Sequence, residues 1–241
     1  MADVTVIIPY HSNKLDLSVL LMQLQSQSIL PQSIYLADNS KEQDGLDIVK
    51  RYQWSVPIVV DRKPGNIYES WNSGINFAKG DTIIINDDVF ITSDFIELMV
   101  EFMSTNATDI YCPGTDGFPP VFGMRKHYAW ISNDPVGVEI IDSNPYKYVP
   151  LMKGWCFGLP YKTVKKVGLF DTQFKCWYGD TDYERRIFEK GGQICMIKGL
   201  PVQHFGTSSY SKLKPKTFRG LYKKDQIAFE KKYQLEHEEH E

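Results

Sequence analysis

The chain has 241 residues, enough for one large α/β domain or two small ones with a sizeable core. Its hydrophobic share of 42% and charged share of 24% are those of an ordinary globular protein, and a net charge of −3 excludes whole-molecule electrostatic binding to nucleic acid or an anionic membrane. No apolar run approaches the ~20 residues of a membrane-spanning helix, and the start MADVTVIIPYHS lacks the basic start and long apolar region of a secretion signal, so a cytoplasmic location is expected.

In chain order, Val4 to Ile8 is a β-branched run ended by Pro9, and Leu15 to Gln27 carries Leu17, Leu20, Leu21 and Leu24 at helical spacing. Ile34 to Ala37 reads as a second strand ending in Asp38-Asn39-Ser40, Leu46 to Tyr52 as a helix, and Val56 to Val60 as a third strand. A helix with Ile67, Trp71, Ile75 and Ala78 on one face follows, with Gly80 expected to end it. Thr82 to Ile85 is a continuous apolar run, the pattern of a strand buried on both faces. It leads directly into Asn86-Asp87-Asp88, and Ser93 is the expected cap of the next helix.

Strands alternating with helices over the first hundred residues predict a parallel, doubly wound sheet. The polar strand ends His11-Ser12-Asn13, Asp38-Asn39-Ser40 and Asn86-Asp87-Asp88 should then converge at one edge, where open α/β sheets bind ligands. Carboxylate and amide oxygens there suit a hard divalent cation holding phosphates, although Asn and Asp are also ordinary turn residues.

From about Asp109 the pattern is less regular and partly antiparallel, with short strands expected at 110–112, 136–141 and 148–151. A short helix is expected over 161–167. An aromatic and acidic loop, 177–182, should lead into a helix through Glu189, followed by a strand over 193–197 and the segment Val202-Gln203-His204. Asp182, with Arg185 and Arg186, reads as the charged start of a solvated helix. Residues 209–232 are basic, with eight Lys or Arg against Asp225 and Glu230, and predict a short C-terminal helix. Cys112, Cys156, Cys176 and Cys195 form no CxxC pair and sit among apolar or aromatic neighbours, as buried free thiols do.

Taken together and in order, the pieces VTVIIPYHSN, LADNS, PGNIYESWNSGINFAKGDTIIINDDV, KGWCFGLP, VGLFDTQF, YGDTDYERRIFEKGG and VQHFG resemble glycosyltransferase family 2, over residues 4 to about 210. The resemblance implies a GT-A fold: a Rossmann-like, mostly parallel sheet with helices on both faces and a less regular acceptor-side half. It implies a single domain over 1–208, with a nucleotide-sugar half at 1–108 and an acceptor half at 109–208, followed by the basic helix and tail at 209–241. It also implies an inverting, metal-dependent transfer of a sugar from a nucleoside diphosphate sugar, a UDP-sugar first, using Mn²⁺ or Mg²⁺.

Position by position, Pro9, Tyr10 and His11 would line the nucleotide pocket, and Asp38 would accept hydrogen bonds from the base or ribose. Asn66 and Asn72 match amide positions near the nucleotide-sugar. Asn86-Asp87-Asp88 stands at the DxD position, with Asp88 and His204 as metal ligands and Asp87 beside the donor. Asp180 would be the general base, with Trp155, Trp177 and Tyr178 as acceptor walls. Two departures stand out: Asn86 replaces a frequent Asp, and Gly179 replaces the usual Glu, which should leave space for the acceptor. The expected acceptor is a growing glycan or lipid-linked saccharide. The basic C-terminal segment also admits a modified nucleic acid base, an anionic membrane surface or a partner subunit. Rival readings are a nucleotidyltransferase or a non-catalytic sugar-nucleotide-binding module.

Overall fold

The structure, a computed structural model, describes residues 1–62, 65–114, 136–146, 148–204 and 215–235. In its first half, β1 (Ala2–Tyr10), β2 (Pro31–Asp38), β3 (Ile58–Asp61) and β4 (Thr82–Ile85) alternate with α1 (Lys14–Gln25), α2 (Gly45–Val49) and α3 (Ile67–Ala78). These strands are mutually parallel. Val6 of β1 faces Ile34 of β2 on one side and Ile83 of β4 on the other, and Ile34 in turn faces Ile58 of β3. Successive side chains of a strand point to opposite faces. Val6 and Ile8 accordingly join the core with Leu17, Leu20, Leu21 and Leu24 of α1, whereas Ile7 packs with Trp71 and Ile75 of α3. A strand covered on both sides needs apolar residues at every position, which is why its sequence shows no alternation.

After β4 come β5 (Val89–Ile91), α4 (Phe95–Thr105), β6 (Ile110–Pro113), β7 (Gly137–Ile141), β8 (Cys156–Leu159), α5 (Tyr161–Val167) and α6 (Gly179–Glu189). The last elements are β9 (Ile194–Lys198), β10 (Val202–His204) and α7 (Pro215–Tyr233). Here the sheet becomes mixed. β8 runs antiparallel to β4, with Ile84 opposite Phe157, and antiparallel to β6; β6 is parallel to β9, and β7 is antiparallel to β9. The full order is β3-β2-β1-β4-β8-β6-β9-β7. The fold is therefore the expected α/β class, a large and mostly parallel sheet flanked by helices.

Several local expectations are corrected. Lys79, not Gly80, caps the end of α3: it takes the left-handed conformation (φ 49°) and its N–H bonds to the Ile75 carbonyl. Asp94, not Ser93, stands at the start of α4, and Thr92 donates its hydroxyl to that carboxylate. No strand forms over 148–151; the chain instead passes along α6, where the Met152 N–H donates to Glu184 at 2.7 Å. Residues 179–182 are already helix, because Asp182 N–H closes the first turn on the Tyr178 carbonyl at 2.8 Å. Asp182 is fully buried, with Arg186 Nε at 2.8 Å and the Tyr233 hydroxyl at 2.8 Å, so it is no part of a solvated face.

The four cysteines are free thiols; Cys112, Cys156 and Cys195 are buried and Cys176 is half-buried. Among the described residues no helix is long and apolar enough to cross a membrane.

Candidate active site

Because β1 to β4 are parallel, their carboxyl ends reach the same edge of the sheet. At the end of β1, Pro9 is buried and pairs with Ala37, while Tyr10 is fully buried and donates its hydroxyl to Asp44 at 2.8 Å. His11, the next residue, is exposed. At the end of β2, Asp38 is fully buried and accepts the N–H of Ser40 at 3.0 Å, its hydroxyl at 2.5 Å, and the N–H of Gly45 at 2.8 Å. Pro9, Tyr10 and Asp38 thus shape the floor of this edge, and of these neighbours His11 alone faces solvent.

Asn66 and Asn72 are both engaged in backbone architecture. Asn66 accepts the N–H groups of Tyr68 and Glu69, and Glu69 returns a bond to the Asn66 N–H, a reciprocal capping box at the start of α3. Asn72 donates to the Phe170 carbonyl at 2.8 Å and accepts the Phe170 N–H at 2.9 Å, pinning the segment after α5 to α3.

The end of β4 carries the acidic group. Asp88 is buried, and its Oδ1 lies 3.1 Å from His204 Nε2. The two meet because β5 and β10 form a small antiparallel ribbon in which His204 faces Val89. Trp155 stacks on His204, with ring centroids 4.9 Å apart and planes within 5°. Asp87 is pushed up to about 7 by burial first and by the neighbouring Asp88 charge second. The Asn86 side-chain oxygen is buried with no hydrogen-bond partner among the described residues.

This donor set fits a divalent ion. A carboxylate and an imidazole 3.1 Å apart are acceptable ligands, the Asn86 amide oxygen two residues before Asp88 has no partner among the described residues, and an ion that also binds phosphates needs only one or two protein carboxylates. Among the described residues no three His, Cys, Asp or Glu side chains gather closely enough to hold a metal by themselves.

The other acidic group comes from α6. Asp180 lies in its first turn, accepts the Thr181 N–H at 3.0 Å, and is pushed up to about 6 by burial. A Cβ added to Gly154 would stand 2.9 Å from Asp180 Oδ2. The adjacent Trp155 carries the His204 stack and accepts the Asn86 N–H at 2.9 Å. The dipeptide Gly154-Trp155 therefore borders Asp180 through one residue and the Asp88–His204 pair through the next. The sequence profile of glycosyl transferase family 2 matches residues 5–168.

The chain belongs to glycosyl transferase family 2. In fold it is similar to crystal structures of TarS from S. aureus. The TarS chain shares 14% identity at a TM-score of 0.59, with 92% of this chain and 42% of that one covered. A TarS fragment, residues 1–349 in complex with UDP, shares 13% identity at a TM-score of 0.59, covering 98% of this chain and 67% of that one. The chain thus spans less than half the length of the longer TarS structure. A search of curated protein sequences finds no match.

For a family 2 member, the surroundings of Asp180 bring a correction. Gly179 does not leave space for an acceptor: a Cβ there would fall 2.3 Å from Tyr68 Cζ, so the Tyr68 ring already fills the position. Tyr178 is buried, with its hydroxyl 2.7 Å from that of Tyr222 and its ring against Phe229, and so presents no open wall. Trp177 is half-buried and meets Tyr222 edge-on. Trp155 is half-buried. The basic helix α7 also turns inward in part, since Lys232 pairs with both Asp171 and Asp182. Tyr68, Gly154 and Asp225 pack around Asp180 and the segment that precedes it; Tyr68 and Gly154 fall within the family motif pieces but nothing in the sequence assigns them this place, and Asp225 carries no motif at all.

Proposed function

We propose that the chain is an inverting glycosyltransferase that moves a sugar from a nucleoside diphosphate sugar, a UDP-sugar first, onto an acceptor hydroxyl of a glycan or lipid-linked saccharide. The observation that carries this reading is the contact of Gly154-Trp155 with Asp180 on one side and with the His204–Asp88 pair on the other. A base and an anion-binding end must flank one reaction centre in such a transfer, and here a two-residue segment spaces them. The UDP seen with the TarS fragment supports the choice of nucleotide.

Asp88 and His204 would hold Mn²⁺ or Mg²⁺, with the Asn86 oxygen at the same strand end. When bound, the ion supplies positive charge that stabilises the departing diphosphate. Trp155 keeps the His204 ring in the plane that faces Asp88. Asp180 takes the proton from the acceptor hydroxyl as that oxygen attacks the anomeric carbon. Raised to about 6, it remains mostly ionised at neutral pH and is a stronger base than an ordinary carboxylate. Attack opposite the leaving group inverts the anomeric configuration and needs no covalent enzyme intermediate.

A thermal-shift screen over UDP-, GDP-, dTDP- and CMP-sugars, with and without Mn²⁺, tests the donor class. UDP-sugars are expected to stabilise the protein most, and only with the ion, with slow UDP release on incubation. Equal response to every nucleotide, or pyrophosphate release in place of UDP, overturns the proposal.

A further inference from the structure

α7 grips the beginning of α6 with one face. Tyr222, Asp225, Phe229 and Lys232 recur at three- and four-residue spacing, which places them on a single stripe of a helix. Each touches the base-bearing turn or the strand of chain that enters it. Tyr222 meets the Tyr178 hydroxyl at 2.7 Å, Phe229 packs 5.1 Å from the Tyr178 ring, and Lys232 lies 2.5 Å from Asp182.

Asp225 makes the densest of these contacts. It is 3% exposed, and its carboxylate accepts the N–H of Lys175 at 3.1 and 3.0 Å, of Cys176 at 2.8 Å and of Trp177 at 3.0 Å. Three successive N–H groups converging on one point form an anion-binding nest, and the nest is here filled from within the chain. The next residue, Tyr178, sits at φ 66°, in the left-handed region that bulky side chains rarely adopt. Such a conformation is strained and persists only where its surroundings hold it. Two residues later stands Asp180.

We propose that Asp225 is a positioning residue for the base: by anchoring the N–H groups of 175–177 it fixes the left-handed turn at Tyr178, and with it the place of Asp180 beside Gly154. This rests on the assignment of Asp180 as the base. The C-terminal helix then belongs to the catalytic apparatus, although none of its residues needs to touch the substrate. A carboxylate suits 225 because Oδ2 accepts all three N–H groups while Oδ1 shares that of Lys175; an amide with its oxygen at the Oδ2 position turns its NH₂ toward the Lys175 N–H and lacks the negative charge that strengthens the other bonds.

The test compares the unaltered protein with Asp225→Asn, Asp225→Ala and Asp180→Asn. It reads Mn²⁺-dependent UDP release from UDP-glucose, UDP-galactose and UDP-N-acetylglucosamine, UDP affinity by calorimetry, and amide hydrogen exchange over 175–180. Both Asp225 variants are expected to exchange faster at 175–177 and to lose about 10²-fold in kcat, the scale of a 1 Å misplacement, with UDP affinity unchanged. The acid limb of kcat should move down from about 6 as Asp180 opens to water. Should Asp225→Ala fail to fold, Asp225→Asn, which keeps the volume, carries the same test. Unchanged kcat and acid limb in the Asp225 variants, with Asp180→Asn inactive, overturn the positioning role and leave the base assignment standing. Parallel loss of kcat and UDP affinity marks a general structural role and also overturns it. Full UDP release by Asp180→Asn, or none by the unaltered protein, removes the underlying reading and the proposal with it.

Discussion

The Tyr68 hydroxyl accepts the Gly179 N–H at 3.0 Å, and the Tyr68 ring fills the space in which a side chain at 179 would begin. This contact joins α3 of the parallel half to α6 of the mixed half at the residue before Asp180. Tyr68 is 1% exposed and is itself held edge-on by Trp71 at 5.1 Å and stacked on Phe170 at 6.3 Å. The absence of a side chain at 179 is thus a packing requirement of this chain.

Gly179→Ala is therefore expected to destabilise the fold. The added methyl group meets ring atoms that Trp71 and Phe170 prevent from retreating. Overpacking of this kind costs about 1–3 kcal/mol. In a chain of this size each kcal/mol lowers Tm by about 2–4 °C, which calorimetry resolves. An unchanged Tm would show that the ring gives way freely.

The Asp88–His204 pair predicts a metal-linked stability. A ligand that binds only the folded state adds about 2.7 kcal/mol at a hundred times its Kd. UDP with Mn²⁺ should raise the Tm of the unaltered protein, and Asp88→Ala should abolish the part that depends on Mn²⁺. His204→Ala is expected to weaken it less, since Asp88 carries the charge. Full Mn²⁺-dependent stabilisation in Asp88→Ala would sink the assignment.

Much of this arrangement was legible in the sequence, and what was not has a common cause. Val4 to Ile8, Ile34 to Ala37 and Thr82 to Ile85 announce buried parallel strands because each is apolar without alternation, and the structure pairs them so. Parallel strands then force Asp38 and Asn86-Asp87-Asp88 to one edge. Contacts between distant segments have no periodic signal: His204 was joined to Asp88 by the family resemblance alone, without the β5–β10 ribbon that makes the contact, and the Tyr68 ring under Gly179 was hidden altogether. The charges of 209–232 read as a basic segment open to an outside partner, because their partners within the chain lie far away in sequence. Asp225 is turned inward onto the N–H groups of 175–177, and Lys232 onto Asp171 and Asp182. Helix ends misled for a local reason, since Lys79 adopts the left-handed position that Gly80 was expected to supply.

Asn72 separates a structural from a donor-binding amide. Its side chain satisfies both the carbonyl and the N–H of Phe170, a residue 3% exposed and stacked 4.0 Å from Tyr183. Asn72→Ala leaves those two backbone groups without partners, at about 1–3 kcal/mol for each one left buried. The urea midpoint should fall, while the folded variant retains UDP affinity. Loss of UDP affinity at full stability would place Asn72 at the donor instead.

Asp180 should show opposite pH signatures in stability and in activity. Burial raises it from the ordinary 3.8 to about 6, against the pull of its Thr181 N–H bond. A raised carboxylate favours its protonated form in the folded state. Relative to the unfolded chain, its contribution is fully present below about 3.8 and is lost as pH rises through about 6. Asp180→Asn carries no charge to desolvate, so at pH 8 the variant should melt above the unaltered protein, and the gap should close as pH falls toward 4. Activity runs the other way. The base must be ionised, so kcat of the unaltered protein should fall as pH drops below about 6 and level off above it. Asp180→Asn should lose about 10²- to 10⁴-fold on the plateau above about pH 6, and the gap should narrow at lower pH as the unaltered protein's own kcat falls. Paired pH series of Tm and kcat on the two proteins check both arms. A variant that is inactive yet no more stable at pH 8 would retain the base and remove the cost of burying it. A variant that is more stable and fully active would remove the base.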